Sequence, residues 1–240
     1  MTFPIMLMFF LCLIQLSLLY VGRFAVQHAA GRAARAAVVV LPDNPSQYEG
    51  EAVNTLDPDT TSDSDSVIDG FSALGVVLSA GGSDNGSPRL NAIRAAAYIP
   101  LIPISPSVRW LAGQNTVGRS FQAGAVRVAS GLIYAQGATA VTFYRTPGAP
   151  ASEMMWDGFG RRQQLTTRVT HLYNCSIPLA KDIMCHNLLR ILLTQRDARR
   201  ELLYTKNPSF PILFAVLGKR FVALRAESTL PIQGASYDYH

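Results

Sequence analysis

The first 22 residues of the chain carry no charged side chain, and Arg23 is the first that does. Thr2, Gln15 and Ser17 are the polar side chains that interrupt this run. An α-helix rises about 1.5 Å per residue, so about 20 residues cross the roughly 30 Å hydrocarbon layer of a bilayer. The pattern therefore predicts an N-terminal membrane-spanning helix. We assign to the span Phe3, Pro4, Phe9, Phe10, Leu13, Leu16 and Leu19.

Two other interpretations of this apolar run are less suitable. A cleaved signal peptide has basic residues before an apolar core of about 7–15 residues, followed by small residues at the cleavage site. Here no Lys or Arg precedes the run, and the run is longer. A core helix of a soluble protein would need apolar partners on all its sides. A membrane anchor is therefore the interpretation we prefer.

The helix is predicted to continue well beyond the apolar run. Pro42 is the first residue that must end it, which gives one helix of about 38 residues and about 57 Å. In its second half small residues recur every four positions at Ala25, Ala29, Ala33 and Ala37, beside Gly22. Such a face lets helix backbones approach closely, so we predict that it packs against other helices. An Ala-rich helix of high propensity, with no packing role, is the alternative.

The remaining chain is predicted to mix helices and strands. Residues 43–66 are polar and are interpreted as a loop or linker, and the apolar stretch 69–80 fits either a strand or a helix. The predicted elements after them are a helix at 89–98 stopped by Pro100, an extended stretch at 99–108, a helix at 117–136, a strand at 139–144, a turn at 146–150, a strand at 164–173, a helix at 179–193 and a hairpin of strands 212–217 and 220–227. This order is typical of an α+β fold with an antiparallel sheet and short helices.

The strand at 164–173 shows which side chains share a face. Alternation puts Leu165, Thr167, Val169 and His171 on one face and Arg168 and Thr170 on the other.

Charge is distributed unevenly along the chain. Residues 36–88 hold nine acidic residues and no Lys or Arg, whereas residues 89–240 hold 18 basic and seven acidic residues. The acidic segment could lie against the basic body, pair with the next subunit of a polymer, or be a solvated loop. We predict three parts, namely an N-terminal helix (1–41), an acidic, loop-rich linker or insertion (42–88) and a head domain (89–240). Since no basic motif with interleaved aromatic residues occurs, we expect no nucleic-acid binding.

The chain has three cysteines, of which Cys12 lies within the apolar run and behaves as a buried hydrophobe. Cys175 and Cys185 are separated by ten positions, and Pro178 between them suits the first turn of a helix. A strand ending near Cys175 and a helix starting after Pro178 would set Cys185 in the second turn, facing back. A disulfide there would contribute about 3 kcal/mol in the chain-entropy model and would need an oxidising compartment. A free buried pair is the alternative.

Three sequence patterns resemble sites for chemistry, and none is adequate. Residues 113–120 match the phosphate-loop pattern except that Arg119 replaces Lys, and the preceding strand is short. His171 and His186, with the cysteine pair, match no standard zinc spacing. The acidic pairs within 57–65 lack the glycine and closing glutamate of a calcium loop. We therefore expect no enzyme activity, no metal and no cofactor.

The N-terminal stretch FPIMLMFFLCLIQLSLLYVGRFAVQHAAGRAARAAVVV resembles the anchor helix of TadE-like pseudopilins of tight-adherence (Tad) pili. The Phe-Pro step, the apolar run to Gln15 and the alanine block of residues 29–37 carry the likeness. THLYNCSIPLAKDIMC (170–185) and KRFVALRAESTLPIQGASY (219–237) also resemble large periplasmic members. The resemblance implies a minor pilin that is processed by a prepilin peptidase, held in the inner membrane, and built into the pilus or primed beneath it.

The sequence departs from that family in one respect. Members begin with a short basic leader, a glycine cleavage site and a nearby glutamate, whereas Glu49 is the first glutamate here. Either the start lies too far downstream or the motif is lost. The positive-inside rule, applied to Arg23, Arg32 and Arg35, would place the head in the cytoplasm. We favour a head outside it, because of the cysteine pair and the resemblance.

Three functional hypotheses follow. The first is a minor pseudopilin that is anchored in the inner membrane with a periplasmic head, or assembled in an extracellular pilus. Its partners would be other pilin subunits, through the N-terminal helix, and membrane lipid. The second is a membrane-anchored periplasmic binding or adhesion module that never polymerises. The third is a tethered enzyme, for which we find no site. The target of the head is not specified by the sequence.

Overall fold

The computed structural model describes residues 3–58, 87–106, 122–160, 163–206 and 219–232, and of 122–129 it describes the backbone alone. The helices are α1 (Phe3–Val40), α2 (Pro88–Tyr98), α3 (Gln122–Ala138), α4 (Ala180–Met184), α5 (Leu188–Thr194) and α6 (Arg196–Leu202). The strands are β1 (Thr139–Tyr144), β2 (Gln164–Asn174), β3 (His186–Asn187) and β4 (Arg220–Pro231). Short 3₁₀ helices lie at Pro45–Gln47, Ile99–Ile104 and Ala151–Glu153. The predicted α+β class is confirmed.

The four strands form one antiparallel sheet in the order β1-β2-β4-β3. β2 lies inside it and pairs along its whole length with β4, from Gln164 opposite Pro231 to Asn174 opposite Phe221. The other edge of β2 pairs with β1. β1 and β2 occupy the predicted positions closely, because a run of β-branched and aromatic residues fits a buried strand.

Both faces of the sheet are covered. Leu165 and Val169 of β2 belong to the core cluster that also contains α1 and α2. On the opposite face, Arg168 and Thr170 contact Glu201 of α6. The predicted division of β2 into two faces is therefore confirmed, and α1 packs on one face while α5 and α6 cover the other.

The second half of α1 is part of the core of the head. Ala29, Ala33 and Ala37 are fully buried there, together with Val26. Alanine side chains permit a short distance between the helix backbone and the sheet, so larger residues of β2, β4 and α2 fill the space around them. The single helix predicted from the sequence thus serves two environments.

The C-terminal end of α1 is capped by a side chain from α2. Arg89 is fully buried, and its Nη1 donates to the carbonyls of Val40 and, at 3.1 Å, of Leu41. Its Nη2 donates to the carbonyls of Asp43 at 2.9 Å and Glu51 at 3.3 Å. The last carbonyls of a helix lack partners within it and carry partial negative charge. The Arg89 guanidinium supplies both hydrogen-bond donors and positive charge to these carbonyls, and it fixes α2 against α1.

Two predicted elements were wrong. Residues 99–104, predicted to be extended, form a 3₁₀ helix that continues from α2. The φ angle that proline imposes is compatible with 3₁₀ turns, and Pro100 lies in the first turn, where no N–H donor is needed. Ser105 closes the helix because its Oγ and N–H both donate to the Leu101 carbonyl, at 2.8 and 3.0 Å.

The single helix predicted at 179–193 is broken at Cys185. The backbone there is extended (φ −120°, ψ 153°), and the next two residues pair with β4 as β3. Helical periodicity continues through the break, but the disulfide and the strand pairing override it. Helix α6 was not predicted at all.

Several predictions lie outside the described residues. They are the apolar stretch 69–80, the phosphate-loop pattern 113–120, the first hairpin strand 212–217 and the acidic residues 59–65. The division into segments 1–41, 42–88 and 89–240 stays a prediction.

Candidate functional site: the anchor helix and its junction with the head

The first half of α1 presents large apolar side chains without partners from the described part of the chain. Phe3 is 76% exposed and Phe9 is 66% exposed, and Phe10, Leu13 and Leu16 are also exposed. Among the described residues, α1 is the one helix long and apolar enough to cross a membrane. A contiguous surface of exposed, large apolar side chains marks a contact with lipid or with another protein. Of the residues assigned to the span, Leu19 is partly buried against the head.

An aromatic pair and a charge follow on the same helix. Tyr20 and Phe24 are exposed, and their rings meet edge to face with centroids 5.4 Å apart. Arg23, also exposed, lies between them. Aromatic residues next to the first basic residue are typical of the boundary between hydrocarbon and water.

The contact between the head and α1 continues past this aromatic pair toward the N-terminus of the helix. Gly22 faces β2 and β4 so closely that an added Cβ would lie 3.0 Å from Leu224 Cδ1 and 3.1 Å from Tyr173 Cδ2. Below it, Leu18 and Leu19 pack against the cluster formed around Tyr173 and the two bonded cysteines. Gly22 is therefore a residue of close approach to the sheet of the same chain, and its predicted packing against other helices stays a prediction.

The predicted disulfide is present. Cys175 and Cys185 are bonded, with Cα atoms 6.5 Å apart. It closes a loop of residues 176–184, the disulfide loop, which contains α4. The strand before it ends at Asn174 and the helix starts at Ala180, close to the predicted positions. Both cysteines are buried, so the bond is shielded from reductants in solution.

Gln15 ties the disulfide loop to α1. It is fully buried, and its Oε1 accepts a hydrogen bond from the N–H of Ile177 at 3.3 Å. A polar side chain in an apolar helix is costly unless it is bonded, so this contact accounts for the polar residue within the apolar run. The sequence showed that Gln15 is unusual but did not show its partner.

The alanine face has a different neighbour from the one predicted. Ala29, Ala33 and Ala37 are packed against the head of the same chain, and Ala25 is partly buried at its margin. Docking of these alanines onto other helices stays a prediction.

A buried charge network joins α6 to the sheet, and sequence reasoning missed it. The Glu201 carboxylate accepts from Arg168 Nη1 at 2.9 Å and from Thr170 Oγ1 at 2.5 Å, and it lies 3.2 Å from Arg225 Nε. Arg168 also donates to Glu227 at 2.7 Å and lies over the ring of Tyr144. Both oxygens of Glu201 are occupied by donors, so the network serves to hold the fold.

His171 is a core histidine in this fold. Its Nδ1 is 2.8 Å from Thr139 Oγ1, and its ring meets the ring of Tyr134 edge to face. Complete burial lowers the pKa of His171 to about 3, so the imidazole is neutral at physiological pH. Within the described ranges, no group of three or more His, Cys, Asp or Glu residues could hold a metal ion. His186 is exposed on β3.

The comparison with known proteins finds a family match for the N-terminal helix. Residues 1–40 match the family described as Tad, putative Flp pilus-assembly TadE/G-like. No curated protein and no solved structure matches the chain. Residues 3–40 of this match form α1, including its exposed half and the alanine face. Through these 40 residues the chain is similar to TadE/G-like proteins of Flp pilus assembly, which confirms the resemblance and supports a role related to Tad pili.

Proposed function

We propose that the chain is a minor pseudopilin of a Tad pilus, acting as a structural subunit or as an assembly and priming factor. The observation that supports this most strongly is the division of α1. One half is a bare apolar helix, and the other half is built into a head. The match of residues 1–40 to the Flp pilus-assembly family supports the same function.

The exposed first half of α1 suits two successive partners. In the inner membrane, its exposed Phe, Leu, Ile and Met side chains would contact lipid. In a pilus, the same side chains would contact the apolar helices of neighbouring subunits. The transfer leaves the head unchanged, because the buried half of α1 holds the head by contacts within the chain. We propose that lateral packing uses this exposed surface, centred on Phe9 and Phe10.

The disulfide supports a head on the periplasmic side. Structural disulfides form and persist in oxidising compartments and are rare in the cytoplasm. Arg23, Arg32 and Arg35 follow the apolar run and favour the opposite orientation. We give the disulfide more weight, because long domains are translocated largely regardless of charge. Reduction and alkylation of the chain from cells should shift its gel mobility, and the shift should vanish in the Cys175→Ser variant.

Purified pili test the proposed function. A chain tagged at its C-terminus should appear in the sheared pilus fraction as well as in the inner membrane. The double variant Phe9→Ala, Phe10→Ala keeps the helix apolar, so it should stay in the membrane but enter pili less efficiently. Leu203→Ala, which truncates an exposed apolar side chain on the head, is the matched control and should enter normally.

The alternative function predicts another result. If pili assemble normally without the chain, and the tagged chain stays in the membrane, a periplasmic binding or adhesion module that does not polymerise is the better account. A chain found free in the cytosol with both thiols reduced contradicts both functions.

A further inference from the structure

The disulfide loop carries exposed apolar side chains at the base of the head. Leu179 is 56% exposed and Ile183 is 54% exposed, while Ala180 between them is buried. Leu179 immediately precedes the short helix α4 and Ile183 lies within it, so both exposed side chains belong to the disulfide loop. The contact of Ile177 with Gln15 places this loop directly against α1.

The backbone at Leu179 is strained. Its φ is 64° and its ψ is −55°, and the N–H of Ala180 donates to the carbonyl of Pro178 at 2.8 Å. This arrangement is the classic γ-turn, which is rare and unfavourable for a residue with a side chain. Glycine would adopt it without that cost. Here a leucine occupies it and holds its apolar side chain outward, and strained positions of this kind cluster at functional sites.

The level of the loop along α1 is the decisive observation. It meets α1 at Gln15, eight residues before Arg23, which corresponds to about 12 Å along a helix axis. Tyr20 and Phe24 lie on either side of Arg23 and mark the expected boundary with water. At the level of the loop, the surface of α1 that the head leaves open carries the apolar side chains of Leu13 and Leu16 and the hydroxyl of Ser17, which bonds within the helix to the Leu13 carbonyl.

We propose that the disulfide loop is a membrane foot, in which Leu179 and Ile183 enter the outer part of the bilayer beside α1. This inference rests on the anchoring that is part of the proposed function. Amphipathic elements bury their apolar face about 5–10 Å into the boundary between headgroups and acyl chains. The loop meets α1 about 12 Å before Arg23, slightly deeper than that range. The foot would fix the rotation and height of the head above the membrane.

The charged residues of the loop are compatible with that position. Asp182 pairs with Arg220, whose Nε lies 2.8 Å from its Oδ1, so this carboxylate has a counter-ion. Lys181 has a long flexible stem that allows its ammonium to reach the headgroups while the stem stays in apolar surroundings. These charges favour the interface over the centre of the bilayer.

Quenching of tryptophan fluorescence by brominated lipids tests the foot. The full chain is reconstituted into phosphatidylcholine vesicles with brominated acyl chains, and the native tryptophans set a baseline shared by all variants. We compare Ile183→Trp with Phe9→Trp, which reports the anchor, and with Val39→Trp. Val39 is exposed on the same helix but lies 16 residues beyond Arg23, or about 24 Å farther from the membrane.

The proposal predicts strong quenching of the added fluorescence in Phe9→Trp and Ile183→Trp, and none in Val39→Trp. If Phe9→Trp is quenched while Ile183→Trp behaves like Val39→Trp, the proposed insertion of the disulfide loop is wrong, and anchoring by α1 is supported. If Phe9→Trp is not quenched either, the anchoring is wrong as well. Quenching of all three, with the chain lying flat on the lipid, also contradicts the foot.

A second variant separates a lipid contact from a folding defect. Leu179→Gly removes the apolar side chain. Because glycine adopts the backbone angles of this turn without strain, the disulfide should form as in the unaltered chain. Combined with Ile183→Trp, it should weaken the quenching at position 183. Retention of the disulfide, seen as a mobility shift on reduction, shows that each variant keeps the loop closed. Unchanged quenching in the combined variant overturns the role of Leu179 in the foot.

Discussion

The two halves of α1 are built from opposite kinds of residue. Before Gln15 the exposed side chains are large and apolar, such as Phe9 and Leu13, whereas after Gly22 the buried ones are mostly alanine. Both halves bury or offer apolar surface, but their neighbours differ. A sheet at fixed short distance requires small side chains, while lipid or a mobile neighbouring subunit accommodates large ones. Side-chain size along a single helix thus distinguishes the half that packs on the sheet from the half whose side chains are exposed.

The largest loss of stability is expected from a substitution at the C-terminal end of α1, where its buried half ends. Arg89→Met keeps the apolar stem but removes the guanidinium that serves the carbonyls of Val40, Leu41, Asp43 and Glu51. Orphaned buried acceptors should lower the free energy of unfolding by about 3–5 kcal/mol. Thermal or denaturant unfolding of the full chain in detergent measures it. Arg32→Met, at an exposed position of α1, should change little; an equal loss in both variants would contradict the capping role.

The contrast between the halves is tested directly by side-chain size. Ala33→Leu adds volume at a fully buried position against the head, and overpacking should cost up to about 3 kcal/mol. Phe10→Ala, in the bare half, should leave the unfolding of the head unchanged. Chemical denaturation followed by tryptophan fluorescence compares the two. If Ala33→Leu is neutral, the packing of α1 on the sheet is wrong.

The core of the head should respond to acid through His171. Burial lowers the pKa of His171 to about 3, compared with about 6.5 in the unfolded chain, so the unfolded state binds more protons between these values. Stability therefore falls as the pH falls below about 6.5, by about 2 kcal/mol between pH 7 and pH 5. His171→Gln should lose this component, while His186→Gln, at an exposed position, should retain it. Unfolding curves at both pH values decide between the two outcomes.

The smallest loss of stability is expected at Gln15, where the two halves of α1 join. Gln15→Leu removes the acceptor for the N–H of Ile177 and should cost about 1 kcal/mol locally, since one hydrogen bond is lost. Hydrogen exchange at Ile177 should then become about fivefold faster. Ser17→Ala, whose hydroxyl bonds within α1 to Leu13, is the control. Unchanged exchange at Ile177 would show that the loop is held by packing alone.

Much of the local structure could be predicted from the sequence. The end of α1 near Pro42, the positions of β1 and β2, and the disulfide all follow from local patterns and spacing. The break at Cys185 could not be predicted, because strand pairing with β4 overrides a periodic helical pattern. The small-residue spacing showed that something approaches α1 closely, but not that a sheet of the same chain does so.

The site was harder to predict than the fold, since its contacts join distant parts of the chain. Arg89 is a basic residue in an Ala-rich helix, and nothing in its local sequence shows that it caps a helix 49 residues away. The same holds for Gln15 with Ile177 and for Glu201 with Arg168. The apolar run and the alanine block were sufficient to predict the family resemblance, because they are local features.

Site-directed labelling tests the central claim most directly, namely that α1 enters the membrane with its first half and carries the head outside the cytoplasm with its second. In a Cys12→Ser background, Phe9→Cys and Arg32→Cys each add one thiol at an exposed position of α1. A membrane-impermeant maleimide should label the Arg32→Cys variant in intact spheroplasts and the Phe9→Cys variant only after detergent is added. Labelling of Arg32→Cys solely in inverted inner-membrane vesicles, or equal labelling of both variants in spheroplasts, would contradict the account.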